Sequence, residues 1–230
     1  MKVFSGLLAA SLAVGLAAGE STPDAVAGQA LAQRLRSVRP ERATTNQAVL
    51  RLRGPGGRRS VPLTVETRPT ESGWEVRYEA KPEGAAPESL TILHATNAPP
   101  TYRPGTEAPT AAAEARFAGS DFSRLDLGLE FLHWPQQRVV GRELSNGRTC
   151  DVLESRPEDA APYGSVRSWV DTEHGVILSA EAYDAKKVRL KQFSVTHFRE
   201  VADQWTFSLS IVDDRRGSKT ELSYETAPQR

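Results

Sequence analysis

Trp205-Thr206-Phe207-Ser208-Leu209-Ser210-Ile211-Val212 is the stretch whose reading decides the fold. Large apolar side chains occupy every second position and hydroxyls fill the places between. Successive side chains of a strand point to opposite faces, so this segment predicts a ribbon with one apolar and one polar face. The same pattern extends outward from it. After it come the break Asp213-Asp214-Arg215-Arg216-Gly217 and a strand over Thr220–Tyr224. Before it lie strands over Val166–Asp171, Val176–Tyr183 and Val188–Phe198, separated by Thr172-Glu173-His174-Gly175 and Asp184-Ala185-Lys186-Lys187.

The first half of the chain repeats the theme. Ala48, Leu50 and Leu52 alternate with polar neighbours up to Gly54-Pro55-Gly56-Gly57, then Val61, Leu63 and Val65 alternate, then Trp74, Val76 and Tyr78, and Leu90–His94 is a further short strand. Pro62 marks an edge or bulged position. Arg138–Leu144 and Thr149–Glu154 flank Asn146-Gly147, a strong hairpin signal. About eleven strands result, and consecutive hairpins make an antiparallel meander the natural topology.

Two segments depart from this period. Ser21-Thr22-Pro23-Asp24 opens a helix of about four turns, with Val26, Ala27, Ala30, Leu31, Leu35 and Val38 on one face and Pro40 as its stop. Ser120–Trp134 fits either period. The cap Ser120-Asp121 and the stop Pro135 favour a short helix. Between them Ala95–Arg116, with four prolines and Ala111-Ala112-Ala113, reads as a long loop. It is either a surface excursion or a flap over whatever the sheet encloses.

Eleven strands at about 4.8 Å each make a sheet some 50 Å wide, and two short helices cannot cover its apolar side. The economical solution is a mainly β (α+β) fold: a strongly curved antiparallel half-barrel with helices covering the concave side. An apolar concavity of this kind suits acyl chains or an apolar peptide. Its expected lining is Leu63, Val65, Trp74, Val76, Tyr78, Trp205, Phe207, Leu209, Ile211, Leu222 and Tyr224. Whether the aromatic rings fill that space or leave it open stands undecided at this level.

The chain begins Met1-Lys2 and stays apolar or small from Val3 to Gly19, with no acid before Glu20. This predicts a secretory signal peptide over 1–19, cleaved near Gly19, ahead of one domain over 20–230. The segment is short and rich in Ala and Gly for a membrane anchor. No cysteine follows the small residues, so the attachment typical of a bacterial lipoprotein has no acceptor. Basic and acidic residues balance at 29 each, which gives no electrostatic reason to expect nucleic acid. Cys150 is alone and is expected buried.

No catalytic constellation is found. His94, His133, His174 and His197 are isolated, without HExxH or a cysteine partner, so no metal site and no cofactor are expected. No serine lies in a GxSxG context. Gly54, Gly56 and Gly57 form a hairpin tip rather than a phosphate loop, because no helix follows. Nothing here argues for an enzyme.

The succession GSDFS (119–123), VVGRE (139–143), NGRTCDVLESRP (146–157), YGSVRSWVD (163–171), AEAYDAKKVRLKQF (180–193) and QWTFSLSIVDDRRGSKTELSYE (204–225) resembles the outer membrane lipoprotein-sorting proteins. These belong to the wider group of the periplasmic carriers LolA and LolB. The likeness runs over Phe117–Tyr224 and rests on the order and spacing of the motifs. It implies a periplasmic half-barrel with a helical lid that binds the acyl chains of lipoproteins or lipid. Such a carrier is a monomer that works between an inner-membrane release complex and an outer-membrane acceptor. No binding residue transfers position by position. An RseB-like sensing module on the same scaffold is the alternative the resemblance leaves open.

Overall fold

A computed structural model describes residues 23–105, 114–201 and 204–224; the side chains at 23, 104, 197–201 and 204–207 lie outside that description. The expected signal peptide, and the side chains of Trp205 and Phe207, fall outside it too.

Alternation does become strands. The first group is β1 (Thr44–Gly54), β2 (Gly57–Thr70), β3 (Gly73–Ala80), β4 (Glu88–Ala95) and β5 (Ala98–Pro104). The second is β6 (Gln136–Ser145), β7 (Arg148–Arg156), β8 (Ser165–Asp171), β9 (Ile177–Tyr183), β10 (Arg189–Val201), β11 (Gln204–Asp213) and β12 (Ser218–Tyr224). That makes twelve strands rather than eleven. The additional one, β5, lies inside the stretch read as a loop. Its prolines obscure the pattern, yet β5 is an edge strand, where a missing N–H costs no ladder bond. Pro62 sits at the end of the β2–β3 pairing, which runs from Leu63 onward, and on that side its carbonyl accepts from Lys81 N at 3.0 Å. Asn146 and Gly147, with φ of 52° and 75°, make the expected tight turn between β6 and β7.

The sheet order is β5-β4-β3-β2-β1-β12-β11-β10-β9-β8-β7-β6, antiparallel throughout. Two meanders are therefore joined at β1 and β12, where Leu50 faces Leu222 and Ala48 faces Tyr224. The sheet is open, and its edges β5 and β6 are consecutive in sequence. The chain after β5 must consequently cross from one edge of the sheet to the other. This crossing is a strap made of a 3-10 turn (Phe117–Gly119), the short helix α2 (Arg124–Gly128) and a second 3-10 turn (Glu130–His133).

The strap corrects the reading of Ser120–Trp134 as one short helix. Ser123, not Ser120, caps α2. Its Oγ accepts from Asp126 N at 3.2 Å while Asp126 Oδ2 accepts from Ser123 N at 2.8 Å, a complete capping box. Leu129 then takes a left-handed conformation (φ 50°) and ends the helix.

Helix α1 (Pro23–Ser37) lies along β6. Its buried face is Gly28, Leu31, Ala32 and half-buried Leu35. Four of the six positions expected on that face, Val26, Ala27, Ala30 and Val38, are exposed. Gly28 sets the rotation, because a Cβ there would stand 2.5 Å from the Arg138 backbone. Only glycine lets the helix approach the strand this closely.

The sheet curls. Twelve strands laid flat would hold their edges about 50 Å apart. Yet Arg39, just past the helix that rides on β6, donates from Nη2 to Thr96 Oγ1 in the β4–β5 turn at 3.0 Å. Arg36 Nη1 meanwhile reaches Leu132 O on the strap at 2.7 Å. The end of α1 and the last strap turn thus bridge the two edges.

Candidate functional site

Strand register brings the expected apolar positions into rows. Leu209, Leu222, Leu50 and Val61 face one another across four strands, as do Tyr224, Ala48, Leu63 and Ala80. Of the eleven positions, Leu63, Val65, Val76, Tyr78, Ile211 and Leu222 are buried in one cluster, with Trp74, Leu209 and Tyr224 half-buried against it. Phe117, Ala118 and Phe122 of the strap are in the same cluster. A second cluster joins Leu31 and Ala32 of α1 to Leu125, Phe131, Leu132 and Trp134 of the strap and to Leu153, Val166 and Val170. The strap therefore fills much of the space that the sheet face offers. Burying each large side chain is worth roughly 1.5–3 kcal/mol, so the strap is part of the core rather than a loose flap.

Polar anchors hold its first half. Asp121 is 2% exposed. Its Oδ1 accepts from Ser218 Oγ at 2.7 Å and Arg116 Nη2 at 3.1 Å, and its Oδ2 from Thr220 Oγ1 at 2.9 Å. Asp126 Oδ2 accepts from Lys191 Nζ at 2.7 Å and Asp126 Oδ1 from Tyr163 OH at 2.8 Å. Lys191 also donates to Asp121 O at 2.9 Å. Burial, then Asp126, raises the Tyr163 phenol. Apart from Asp121, expected in a helix cap with Ser120, the sequence assigned no role to these residues. Asp121, Tyr163, Lys191, Ser218 and Thr220 stand in GSDFS, YGSVRSWVD, AEAYDAKKVRLKQF and the GSKTE portion of the last quoted motif, whereas Arg116 and Asp126 lie outside every quoted motif, and the fold brings them all to one joint.

The other half of the strap meets β4, β5 and α1. Trp74 and His94 stack at 3.9 Å and 7°. Burial, with His133 adding to it, pushes His94 down to about 4, and burial with Arg36 does the same to His133. Tyr102 OH donates to Glu130 Oε2 at 3.0 Å. Burial and then that carboxylate raise its phenol.

The remaining chemistry-bearing groups lie elsewhere. Asp171, Glu173 and His174 place possible ligand atoms within 4.8 Å of one another. Arg148 Nη1 already sits among them, 3.1 Å from Asp171 Oδ2, 3.4 Å from Glu173 Oε2 and 3.0 Å from His174 Nδ1. Burial raises the Asp171 carboxyl, but the Glu173 N–H, His174 and Arg148 outweigh it and hold the group low. The group reads as a turn braced by a guanidinium. Cys150 is fully buried, as expected, and burial raises its thiol. An open groove of about 500 Å³ runs along α1 past Ala30, Gln33, Arg34, Ser37 and Val38, and includes none of the expected lining.

Among the described residues no helix is long and apolar enough to cross a membrane. A family model described as an uncharacterized protein matches residues 100–229. No curated protein matches the chain. Solved structures share its fold, among them the three that follow. A DUF1329 family protein from Desulfovibrio piger ATCC 29098 has a TM-score of 0.64 at 19% identity, over 89% of this chain and 92% of that one. A domain from Vibrio parahaemolyticus named for outer membrane lipoprotein sorting has a TM-score of 0.65 at 19% identity, over 90% and 95%. A LolA superfamily protein from Nitrosomonas europaea has a TM-score of 0.62 at 15% identity, over 86% and 91%. The resemblance read from the motifs is borne out in these neighbours.

Proposed function

The chain belongs to the family of that model, and from this premise we propose that it is a periplasmic carrier or chaperone for the acyl chains of lipoproteins or lipid. One observation carries the reading: an apolar sheet face spanning β1–β4, β11 and β12 is covered by a strap rather than by a second layer of sheet. Leu63, Val65, Val76, Tyr78, Ile211 and Leu222 line the floor, and Trp74, Leu209 and Tyr224 form a half-buried rim. The floor is already dry, so an acyl chain enters by taking over the contacts of Phe117, Phe122 and Leu127 as the strap shifts. In this reading that face is the concave side of the curled sheet, and the strap and α1 cross its mouth. The names of the Vibrio and Nitrosomonas neighbours support the choice of cargo. The carrier is exported through residues 1–19, works as a monomer over 20–230, exchanges cargo with membrane-bound release and acceptor proteins, and catalyses nothing.

Protein purified from the envelope should release lipid on solvent extraction and take up a fluorescent fatty acid. Protein that is empty on extraction and refuses the probe would sink the proposal. Mass measurement of the exported chain tests the cut near Gly19.

A further inference from the structure

The bridge between the two sheet edges has a feature that folding alone does not account for. Arg36 is half-buried. Its Nη1 donates to Leu132 O, while its Nε is buried with no hydrogen-bond partner. His94 Nε2, across the seam on β4, is likewise buried without a partner. Buried donors are normally satisfied, and a guanidinium taken from water without a carboxylate carries an uncompensated cost. Two carboxylates of the strap are engaged elsewhere: Glu130 with Tyr102, Asp126 with Ser123, Tyr163 and Lys191. Neither Arg36 nor Arg39 makes an ion pair among the described residues; their side chains bond Leu132 O and Thr96 Oγ1. The groups converge from three elements. Arg36 bonds the residue preceding His133, and Arg39 bonds the residue two beyond His94. The charge of Arg36 is felt at His133, and His133 in turn at His94. On the apolar side the seam continues into Trp74, which stacks on His94 and belongs to the rim of the sheet cluster.

We infer that this seam is a subsite for an oxyanion, a carboxylate or phosphate group, held by Arg36 and His94 with Arg39 and His133 at its border. The inference rests on the carrier reading in that the oxyanion would be the head of a ligand whose apolar chain lies on the Trp74 side. A planar guanidinium suits a two-point contact to such a group, and a charge-assisted hydrogen bond in a half-dry site is stronger than a neutral one.

The test compares palmitate with hexadecanol, which share a chain length and differ in the charged head. Inorganic phosphate is the chainless probe. Binding is measured by calorimetry on the full exported chain and on Arg36→Gln, His94→Gln and, on the outward side of α1, Arg34→Gln. Thermal melts confirm that each variant is folded. Palmitate should bind about tenfold more tightly than hexadecanol, the ratio one charge-assisted hydrogen bond supplies. Arg36→Gln or His94→Gln should remove that ratio and leave hexadecanol binding unchanged, and Arg34→Gln should leave the ratio intact. Phosphate binding lost in Arg36→Gln, without binding of either chain, supports the subsite as one for free anions and overturns the carrier reading alone. Equal binding of palmitate and hexadecanol overturns the subsite and leaves the carrier reading standing. Anion affinity indifferent to both substitutions also overturns the subsite, and so does a chain that binds none of the three probes.

Discussion

At Asp121 both oxygens of a buried carboxylate accept hydrogen bonds, whereas further along the same strap, where it meets α1 and β4, buried nitrogens of Arg36 and His94 have no partner. The first region couples the strap to β12 and β10 through Ser218, Thr220 and Lys191. The second couples it to β5 through Tyr102 and Glu130, to β6 through Gln137 and to α1 through Arg36, while Arg39 ties the chain after α1 to the β4–β5 turn. Completed polar contacts mark a place where the fold is being held. Incomplete ones, stacked against an aromatic ring, mark a place where the fold has left chemistry exposed to something it does not itself supply. On that contrast the Asp121 joint is the end of the strap whose polar groups are satisfied, and the seam is the end that keeps unsatisfied nitrogens.

The contrast is most sharply tested by removing the joint. Asp121→Ala leaves Arg116, Ser218 and Thr220 without their acceptor, and should cost about 3–5 kcal/mol in denaturant unfolding. A loss below about 1 kcal/mol would show that apolar packing alone fixes the strap.

Acid should act on the seam. In the folded chain His94 is held down to about 4, so the unfolded chain takes up the proton first. Stability is then complete above about pH 6.5, the unfolded value, and falls as pH drops toward 4, by up to about 3 kcal/mol. His133 adds a smaller effect of the same sign, because it is more exposed to solvent. Melting curves between pH 7 and 4 should show the decline, and His94→Gln should flatten it. An unchanged slope in that variant would place the acid sensitivity elsewhere.

Gly28→Ala forces α1 away from the Arg138 backbone and should cost about 1–3 kcal/mol while leaving the Asp121 joint intact. Hydrogen exchange should rise along α1 and β6 and stay low at β12; uniform change would mean that the two ends of the strap are one cooperative unit.

The smallest expected effect on stability is that of Arg39→Ala, about 0.5 kcal/mol, since its contact with Thr96 is exposed. Its use is comparative. If it weakens the fold as much as Asp121→Ala does, the seam is a second joint and the contrast fails.

How much of this was legible beforehand varies by element. β11 and β12 could be read almost to the residue, because alternation on a half-buried ribbon is written directly into the chain. β5 could not, since prolines tolerated at an edge look the same in sequence as prolines in a loop. α1 was found but rotated wrongly. Ala27 and Ala30 fit an apolar face as well as Ala32 does, and only contact with β6 at Gly28 distinguishes them. Of the joint, Asp121, Tyr163 and Lys191 were present in quoted motif fragments with no visible reason to belong together, and Asp126 lay outside all of them.

Local side-chain period and turn chemistry were determined by the sequence itself, because each depends on neighbours within a few residues. The edge-to-edge crossing of the strap, the meeting of Asp121 with Thr220 and the approach of Arg39 to Thr96 were decided by tertiary structure alone. They follow from the pairing of β1 with β12, a contact between nearly opposite ends of the chain that no local pattern specifies.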